Sequence, residues 1–252
     1  MKFYKYEGCG NDFIIVLYED IKEYDIVELC RRICHRHFGV GADGLIVLKT
    51  NPFEMIYYNK DGSLASMCGN GIRCAAQFLK DHKSINSCDI DILTGDGIKH
   101  IHYIQNEIKV HMGNIKDIKI THKIIDCDDQ LYDIYLCHIG VNHVIYRTEH
   151  FYNVYSLSKD ISENLNEEIN INFVMKMDDG RLKVRTYEKG AGLTLACGTG
   201  ACASALVYYD LGLTDNCVDV EMLGGTLRIE IADDELYMYG KAHKICEGEY
   251  NE

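Results

Sequence analysis

Two short, nearly identical motifs constrain this chain more than any other feature of it. Cys68-Gly69-Asn70-Gly71 and Cys197-Gly198-Thr199-Gly200 lie 129 residues apart in a chain of 252 residues. Small and apolar residues with the spacing of a buried helix follow each motif. Other positions recur at nearly the same interval: Asn59 and Glu188, Leu64 and Leu193, Asn11 and Asn142, Gly97 and Gly225, and Gly113 and Gly240. The repeat predicts two copies of one folding unit.

Apolar runs and alternating segments around the two predicted helices indicate strands. They include residues 13–18, 45–48, 54–58, 89–93 and 98–104 in the first half, and 134–139, 144–146, 182–187, 218–223 and 227–231 in the second. A further helix is predicted from the apolar stripe of Ile26, Leu29, Cys30, Ile33 and Phe38. We therefore predict an α+β fold of two pseudo-symmetric domains, 1–122 and 123–252, each a mostly β layer around one cysteine-headed helix. The active site is expected in the cleft between them.

A cysteine placed just before a helix is well placed for a specific kind of chemistry. The first turn of a helix has unpaired N–H groups and positive potential, which stabilise a thiolate or bind a carboxylate. Inverting a stereocentre that bears a hydrogen requires a base on one face of the carbon and an acid on the other. Cys68 and Cys197 could supply that pair. The sequence shows no lysine-centred pyridoxal motif and no nucleotide-binding loop, so we expect no cofactor.

Charge and composition narrow the class of partner. A formal net charge of −13 argues against a nucleic-acid partner, and no apolar stretch approaches the length of a membrane span. The start of the chain has no apolar run of signal-peptide length, which predicts a cytoplasmic location with reduced cysteines. Cys30, Cys34, His35 and His37 lack a second ligand pair, so no metal site is predicted. A thiol redox or metal-binding protein stays the alternative from another class, although no Cys-x-x-Cys is present.

Several blocks together resemble the signature sequences of diaminopimelate epimerases. They are Gly10-Asn11-Asp12-Phe13, Gly41-Ala42-Asp43-Gly44, Asn59-Lys60-Asp61-Gly62-Ser63, Cys68 to Cys74, and Ala196 to Ala203. The resemblance covers essentially the whole chain. It implies two domains, each a curled antiparallel sheet around a central helix, and epimerisation of a small amino acid without pyridoxal phosphate. It also implies a role in lysine biosynthesis and a homodimer.

The resemblance assigns roles to individual residues. Cys68 and Cys197 match the acid–base pair, and His143 and Glu188 match residues that tune the two thiols. The matches to substrate-binding positions are Asn11, Asn59, Gly69, Asn70, Asn170, Glu188, Lys189, Gly198 and Thr199.

Three positions depart from the family pattern. Lys189 replaces an arginine, Val141 replaces an asparagine, and Leu193 stands where a glutamate is usual. Arginine offers a bidentate fork to a carboxylate, lysine offers a point charge, and valine offers nothing polar. These changes leave the chemistry at the α-carbon intact. They leave open which group stands at the far end of the substrate. Diaminopimelate is the leading substrate, and another amino acid such as histidine is the alternative.

Overall fold

The computed structural model describes residues 1–83, 85, 87–127, 130–167 and 169–251. In chain order its main elements are β1 Lys2–Gly8, β2 Asn11–Leu17, α1 Ile26–Ile33, β3 Gly44–Thr50, β4 Phe53–Asn59, β5 Leu64–Ala65, α2 Gly69–His82, β6 Asp89–Thr94, β7 Gly97–Ile104, β8 Glu107–Asn114, β9 Ile120–Cys127, β10 Gln130–Ile139, β11 Val141–Arg147, α3 Val154–Leu165, β12 Asn170–Lys176, β13 Leu182–Glu188, β14 Gly192–Thr194, α4 Gly198–Asp210, β15 Cys217–Met222, β16 Gly225–Ala232, β17 Glu235–Gly240 and β18 His243–Glu249. Tyr18–Asp20 and Ile115–Asp117 form short 3₁₀ helices.

The chain divides into two compact units. The first consists of Met1–Val110 together with Gly240–Glu252, and the second is His111–Tyr239. Residues 111–122, which the sequence assigned to the first domain, thus belong to the second unit, and the C-terminal segment belongs to the first. That segment carries β18, which pairs antiparallel with β1.

The two units have the same strand pairing. In the first unit the antiparallel pairs are β1–β2, β3–β4, β4–β5, β6–β7 and β7–β8, and the parallel pairs are β2–β3 and β4–β6. In the second unit the antiparallel pairs are β10–β11, β12–β13, β13–β14, β15–β16 and β16–β17, and the parallel pairs are β11–β12 and β13–β15. Strand β9 pairs with β10 as β18 pairs with β1. The predicted α+β class and the internal repeat are confirmed.

A buried helix forms the centre of each unit. Helix α2 packs against β1, β2, β3, β4 and β18, and helix α4 against β10, β11, β12, β13, β15 and β16. Almost every residue from Gly69 to Leu79 and from Gly198 to Tyr208 is buried. Glycine, alanine and cysteine make up half of these segments, so strands can approach each helix closely. The helices predicted after the two motifs are confirmed.

Helices α1 and α3 build a second core in each unit. Helix α1 packs with residues of β2 and β3, and α3 with residues of β9 to β12. The side chain of Asp25 caps α1 by accepting the N–H groups of Val27 and Glu28. The prediction that Phe38 continues this apolar stripe is wrong. The helix ends at Ile33, His35 Nδ1 accepts the N–H of Phe38 in a turn, and Phe38 is 87% exposed.

Candidate active site

Cys68 and Cys197 occupy the same structural position in their units. Each is the N-cap residue, in extended conformation, of the buried central helix. The Gly71 N–H donates to Cys68 Sγ at 3.4 Å, and Cys197 Sγ lies 3.5 Å from Thr199 Oγ1. Cys68 is half-buried and Cys197 is buried. Both sulfur atoms therefore lie in the positive potential of a helix N-terminus.

In the first unit, two predicted substrate-binding residues lie beside Cys68. The Cys68 thiol points at Asn11 Oδ1, with Sγ 3.9 Å from that oxygen, and Asn70 Nδ2 donates to the same oxygen at 3.2 Å. Gly69 is the first residue of α2, and its carbonyl accepts a hydrogen bond from Arg73 Nη1 at 2.9 Å. Cys68, Asn11, Gly69 and Asn70 therefore form one cluster.

The side chain of Asn59 takes part in a turn at the end of β4. Its Nδ2 donates to Ser63 Oγ at 3.0 Å, and its backbone N–H donates to the Ser63 carbonyl. Ser63 in turn donates to Asp61 Oδ1 at 2.6 Å. The structure thus gives Asn59 a turn-forming role, and its predicted contact with substrate stays a prediction.

In the second unit, His143 belongs to a fully buried network that involves the start of α4. Asn172 Nδ2 donates to the Val144 carbonyl and to His143 Nδ1, both at 3.1 Å, and Asn172 Oδ1 accepts from Thr186 Oγ1 at 2.9 Å. Because the carbonyl can only accept, Asn172 Nδ2 must be the donor and His143 Nδ1 an acceptor. The proton of the neutral imidazole is then on Nε2, which is buried and has no hydrogen-bond partner in the described part of the chain.

Asn172 is a residue that the sequence reasoning missed. A Cβ built at Gly200 of α4 would lie 2.3 Å from Asn172 Oδ1, so the third residue of the helix must be glycine for this contact. Asn172 thereby joins His143 to the helix that Cys197 caps. Its signal in the sequence is weak: it is one polar residue in the apolar run 171–174.

Glu188, Asn170 and Lys189 lie together at the ends of β12 and β13. Glu188 Oε1 accepts the Thr194 hydroxyl at 2.6 Å, and Asn170 Oδ1 accepts the backbone N–H of Lys189 at 3.0 Å. Gly198 and Thr199 open α4 immediately after Cys197. Asn170 therefore fixes the main chain from which the Lys189 side chain projects.

Strand register corrects one predicted correspondence between the two halves. Ile14 pairs with Leu45 and Leu45 with Tyr58, whereas Val144 pairs with Ile171 and Ile171 with Tyr187. Because Tyr58 and Tyr187 share the 129-residue spacing, Ile14 corresponds to Val144. Asn11 therefore corresponds to Val141, and the predicted pairing of Asn11 with Asn142 is wrong. The second unit has valine where the first has the amide beside its cysteine.

Burial strongly affects the protonation of His143. Burial, followed by the charge of His138, lowers the pKa of His143 to about 3. The unfolded chain binds this proton below about pH 6.5, while the folded chain does not until about pH 3. Stability that depends on neutral His143 is thus complete above pH 6.5 and is lost as the pH falls toward 3.

We predict that lowering the pH from 7 to 5 reduces the free energy of unfolding by about 2 kcal/mol through His143 alone. Urea unfolding at both pH values checks this in the wild-type chain and in His143→Gln, whose side chain stays neutral. The pH dependence should be smaller in the variant. Equal pH dependence in both proteins would contradict the assignment of a buried, neutral imidazole.

The residues that the structure describes show three further features. They contain no group of three or more histidine, cysteine, aspartate or glutamate side chains that could hold a metal ion. None of their helices is long and apolar enough to cross a membrane. All twelve cysteines are free thiols.

Comparison with known proteins gives consistent matches. The sequence profile of the family described as "Diaminopimelate epimerase" matches residues 3–118 and 160–245. A curated diaminopimelate epimerase from Clostridium perfringens is 40% identical over 273 aligned positions, covering 99% of each chain. One from Methanococcus maripaludis is 37% identical over 275 positions, also covering 99% of each chain.

Solved structures share the fold at low sequence identity. A probable proline racemase from Agrobacterium radiobacter superposes with a TM-score of 0.75 at 12% identity, covering 99% of this chain and 92% of that one. A hydroxyproline epimerase from Agrobacterium vitis gives a TM-score of 0.74 at 11% identity, covering 98% and 91%. At these identities the likeness shows the fold alone.

Proposed function

This chain belongs to the diaminopimelate epimerase family, and we propose that it interconverts LL- and meso-diaminopimelate with two cysteines and no cofactor. The observation that carries the proposal is the repeated placement of Cys68 and Cys197 as N-caps of the two buried helices. Family membership decides against the thiol redox and metal-binding alternative.

In the proposed reaction one cysteine is a thiolate and the other a thiol. The thiolate removes the proton from the α-carbon and becomes a thiol, leaving a carbanion whose charge spreads onto the α-carboxylate. The other thiol then delivers its proton to the opposite face of that carbon and becomes a thiolate. Atoms and charge balance, and the product state has the protonation pattern that the reverse reaction requires.

Two features of the chain support stabilisation of that carbanion. Gly69-Asn70 and Gly198-Thr199 provide backbone N–H groups in the first turns of α2 and α4, where a carboxylate is bound favourably. We propose that they hold the α-carboxylate and that Asn11, Asn59, Asn170 and Glu188 bind the remaining polar groups. We also propose that His143 and Glu188 tune the thiols, as the family resemblance implies. The Nε2–H of His143 is available for that role because it has no hydrogen-bond partner among the described residues.

A substrate screen in deuterium oxide tests the function. Diaminopimelate, histidine and other L-amino acids are incubated separately with the enzyme, and deuterium at the α-carbon is measured by NMR. We expect diaminopimelate to be labelled. Labelling of histidine but not diaminopimelate would favour the alternative racemase, for which Val141, Leu193 and Lys189 are the motivating departures. Labelling of neither would contradict the proposal.

We predict that Lys189→Arg improves kcat/KM for diaminopimelate by about tenfold, if Lys189 binds the distal carboxylate. A bidentate guanidinium–carboxylate pair is stronger and better oriented than an ammonium contact. Steady-state kinetics provide the measurement, and Lys60→Arg, at the corresponding position of the first half, is the control. Unchanged kcat and KM in Lys189→Arg would remove Lys189 from the substrate site.

We further propose a small-molecule amino acid as the only ligand class, without nucleic acid or membrane. The net charge of −13 supports the exclusion of nucleic acid. A cytoplasmic location is supported by twelve free thiols, which suit a reducing compartment. The homodimer implied by the family resemblance is also part of the proposal, and sedimentation equilibrium tests it.

A further inference from the structure

A carboxylate determines which way the side-chain amide of Asn11 faces. Asn11 Nδ2 donates to Asp43 Oδ2 at 2.9 Å. A carboxylate can only accept hydrogen bonds, so the nitrogen of the amide, and not its oxygen, must point toward Asp43. The amide oxygen Oδ1 consequently points the other way, toward Cys68 and Asn70.

A guanidinium determines the orientation of the second amide. Arg73 Nη2 donates to Asn70 Oδ1 at 2.9 Å, and a guanidinium can only donate. Asn70 Nδ2 must then face Asn11 Oδ1, to which it donates at 3.2 Å. The Arg73 side chain is fully buried and also donates to the carbonyl groups of Gly69 and Lys241, which fixes its position.

Asp43 is itself held by charged partners. Arg36 Nη2 lies 2.7 Å from Asp43 Oδ1, and the same guanidinium makes a two-pronged contact with Asp12 at 2.8 and 3.1 Å. Lys5 Nζ lies 3.0 Å from Asp12. Charged groups on the Asn11 side include Asp43, Asp12, Arg36 and Lys5. The Asn70 side has Arg73, with Glu7 and the thiols of Cys9 and Cys74 in its neighbourhood. Turning either amide over would place two hydrogen-bond donors, or two acceptors, against each other.

This arrangement favours one protonation state of the nearby sulfur. Asn11 Oδ1 lies 3.9 Å from Cys68 Sγ and can accept an S–H proton, whereas it repels a thiolate. We infer that Asp43 and Arg73 are positioning residues, which hold the Asn11 amide oxygen against Cys68 and so favour the thiol at that position. The inference rests on the proposed function, because it assigns Cys68 the proton-donor role in the resting enzyme.

The corresponding position in the second unit strengthens the inference. Val141 stands where Asn11 stands in the first unit, so that side chain offers Cys197 no amide oxygen. Cys197 instead lies 3.5 Å from the Thr199 hydroxyl, which can donate to a thiolate. Both sulfurs share the positive potential of a helix N-terminus, and the Gly71 N–H also donates to Cys68 Sγ. The difference between the two cysteines is therefore the Asn11 amide oxygen, which faces Cys68 and has a valine as its counterpart in the second unit, and it makes Cys197 the thiolate of the resting enzyme.

The test uses Asp43→Asn, which keeps the side-chain shape and supplies a donor in place of an acceptor. Arg36 can only donate, so the new oxygen turns toward it and the new NH₂ group faces Asn11. Asn11 Oδ1 is then drawn toward residue 43 in competition with Asn70 Nδ2, which Arg73 holds in place, and each turn of the amide moves Asn11 Nδ2 toward Cys68 and favours the thiolate. The readout is the rate of iodoacetamide alkylation of Cys68 against pH, followed by mass spectrometry of its peptide. It requires no turnover.

Loss of the Asp43 charge would also favour the thiolate, so the same substitution is made in Asn11→Ala. Only the effect transmitted through the amide disappears in that background. We expect Asp43→Asn to lower the pH of half-maximal alkylation by about one unit more when Asn11 is present than when it is absent. Asp43→Ser, whose hydroxyl can still accept, is a second variant and should give a smaller shift. Asp91→Asn, an exposed residue paired with His100, is the control and should give none.

Equal shifts from Asp43→Asn in the two backgrounds, or no shift in either, would overturn the inference. So would a larger shift from Asp43→Ser than from Asp43→Asn. These outcomes are independent of the proposed function, which fails when the wild-type chain does not label diaminopimelate at its α-carbon.

Discussion

Replacing Cys68 or Cys197 by serine is expected to reduce kcat by about 10²- to 10⁴-fold. A hydroxyl is a far weaker acid than a thiol at neutral pH, so serine can neither deliver the proton readily nor exist as the base. The structure puts each sulfur at the start of a buried helix, where the positive potential favours the thiolate but cannot make an alkoxide accessible. Steady-state epimerisation of diaminopimelate, followed by chiral chromatography, gives the measurement.

The matched control for both variants is Cys246→Ser. Cys246 is an exposed free thiol of β18, and the substitution should leave kcat within about twofold of the wild type. Thermal unfolding of all three variants separates loss of catalysis from loss of fold. Either serine variant retaining full activity would remove its cysteine from the acid–base pair.

Gly200→Ala is expected to lower the free energy of unfolding by about 3 kcal/mol. The new methyl group would lie 2.3 Å from Asn172 Oδ1, so Asn172 must move. Moving it breaks hydrogen bonds to Thr186, Val144 and His143, all within a fully buried cluster. Buried polar groups left unpaired cost about 1–3 kcal/mol each, and overpacking adds a similar amount, with partial relaxation reducing the total. Urea unfolding monitored by circular dichroism checks the value.

Gly71→Ala is the matched control, since it changes the corresponding residue of α2. Its new methyl group would lie 3.3 Å from Cys68 Cβ and 3.4 Å from Ile46 Cδ1, distances that small movements can relieve. Its cost should be below about 1 kcal/mol, because alanine also favours the helix. A loss of stability in Gly71→Ala as large as in Gly200→Ala would contradict a special role for the Asn172 network.

The two central helices could be predicted because their signals are local. A cysteine, two glycines and a run of small residues specify the cap, the close approach and the buried helix within about fifteen positions. The repeat then extended the prediction to both halves. The strands around them carried enough apolar alternation for the α+β class to follow from sequence.

Contacts between distant segments could not be predicted in the same way. The pairing of β18 with β1 joins the two ends of the chain, and the exposed side chains of β18 give it little apolar pattern. Asn172 is visible only as one polar residue in an apolar strand until Gly200 is placed against it. The wrong pairing of Asn11 with Asn142 came from counting residues, whereas connections of different length shift the register of the repeat.

The most direct test of the two-cysteine account is the place where deuterium first appears. LL-diaminopimelate is converted in deuterium oxide, the reaction is stopped at low conversion, and substrate and product are separated. A mechanism with two opposed acid–base groups predicts that the meso product carries solvent deuterium at the inverted carbon, while the recovered LL substrate carries almost none. Deuterium appearing equally early in recovered substrate and product, as expected when a single base removes and returns the proton, would contradict the account.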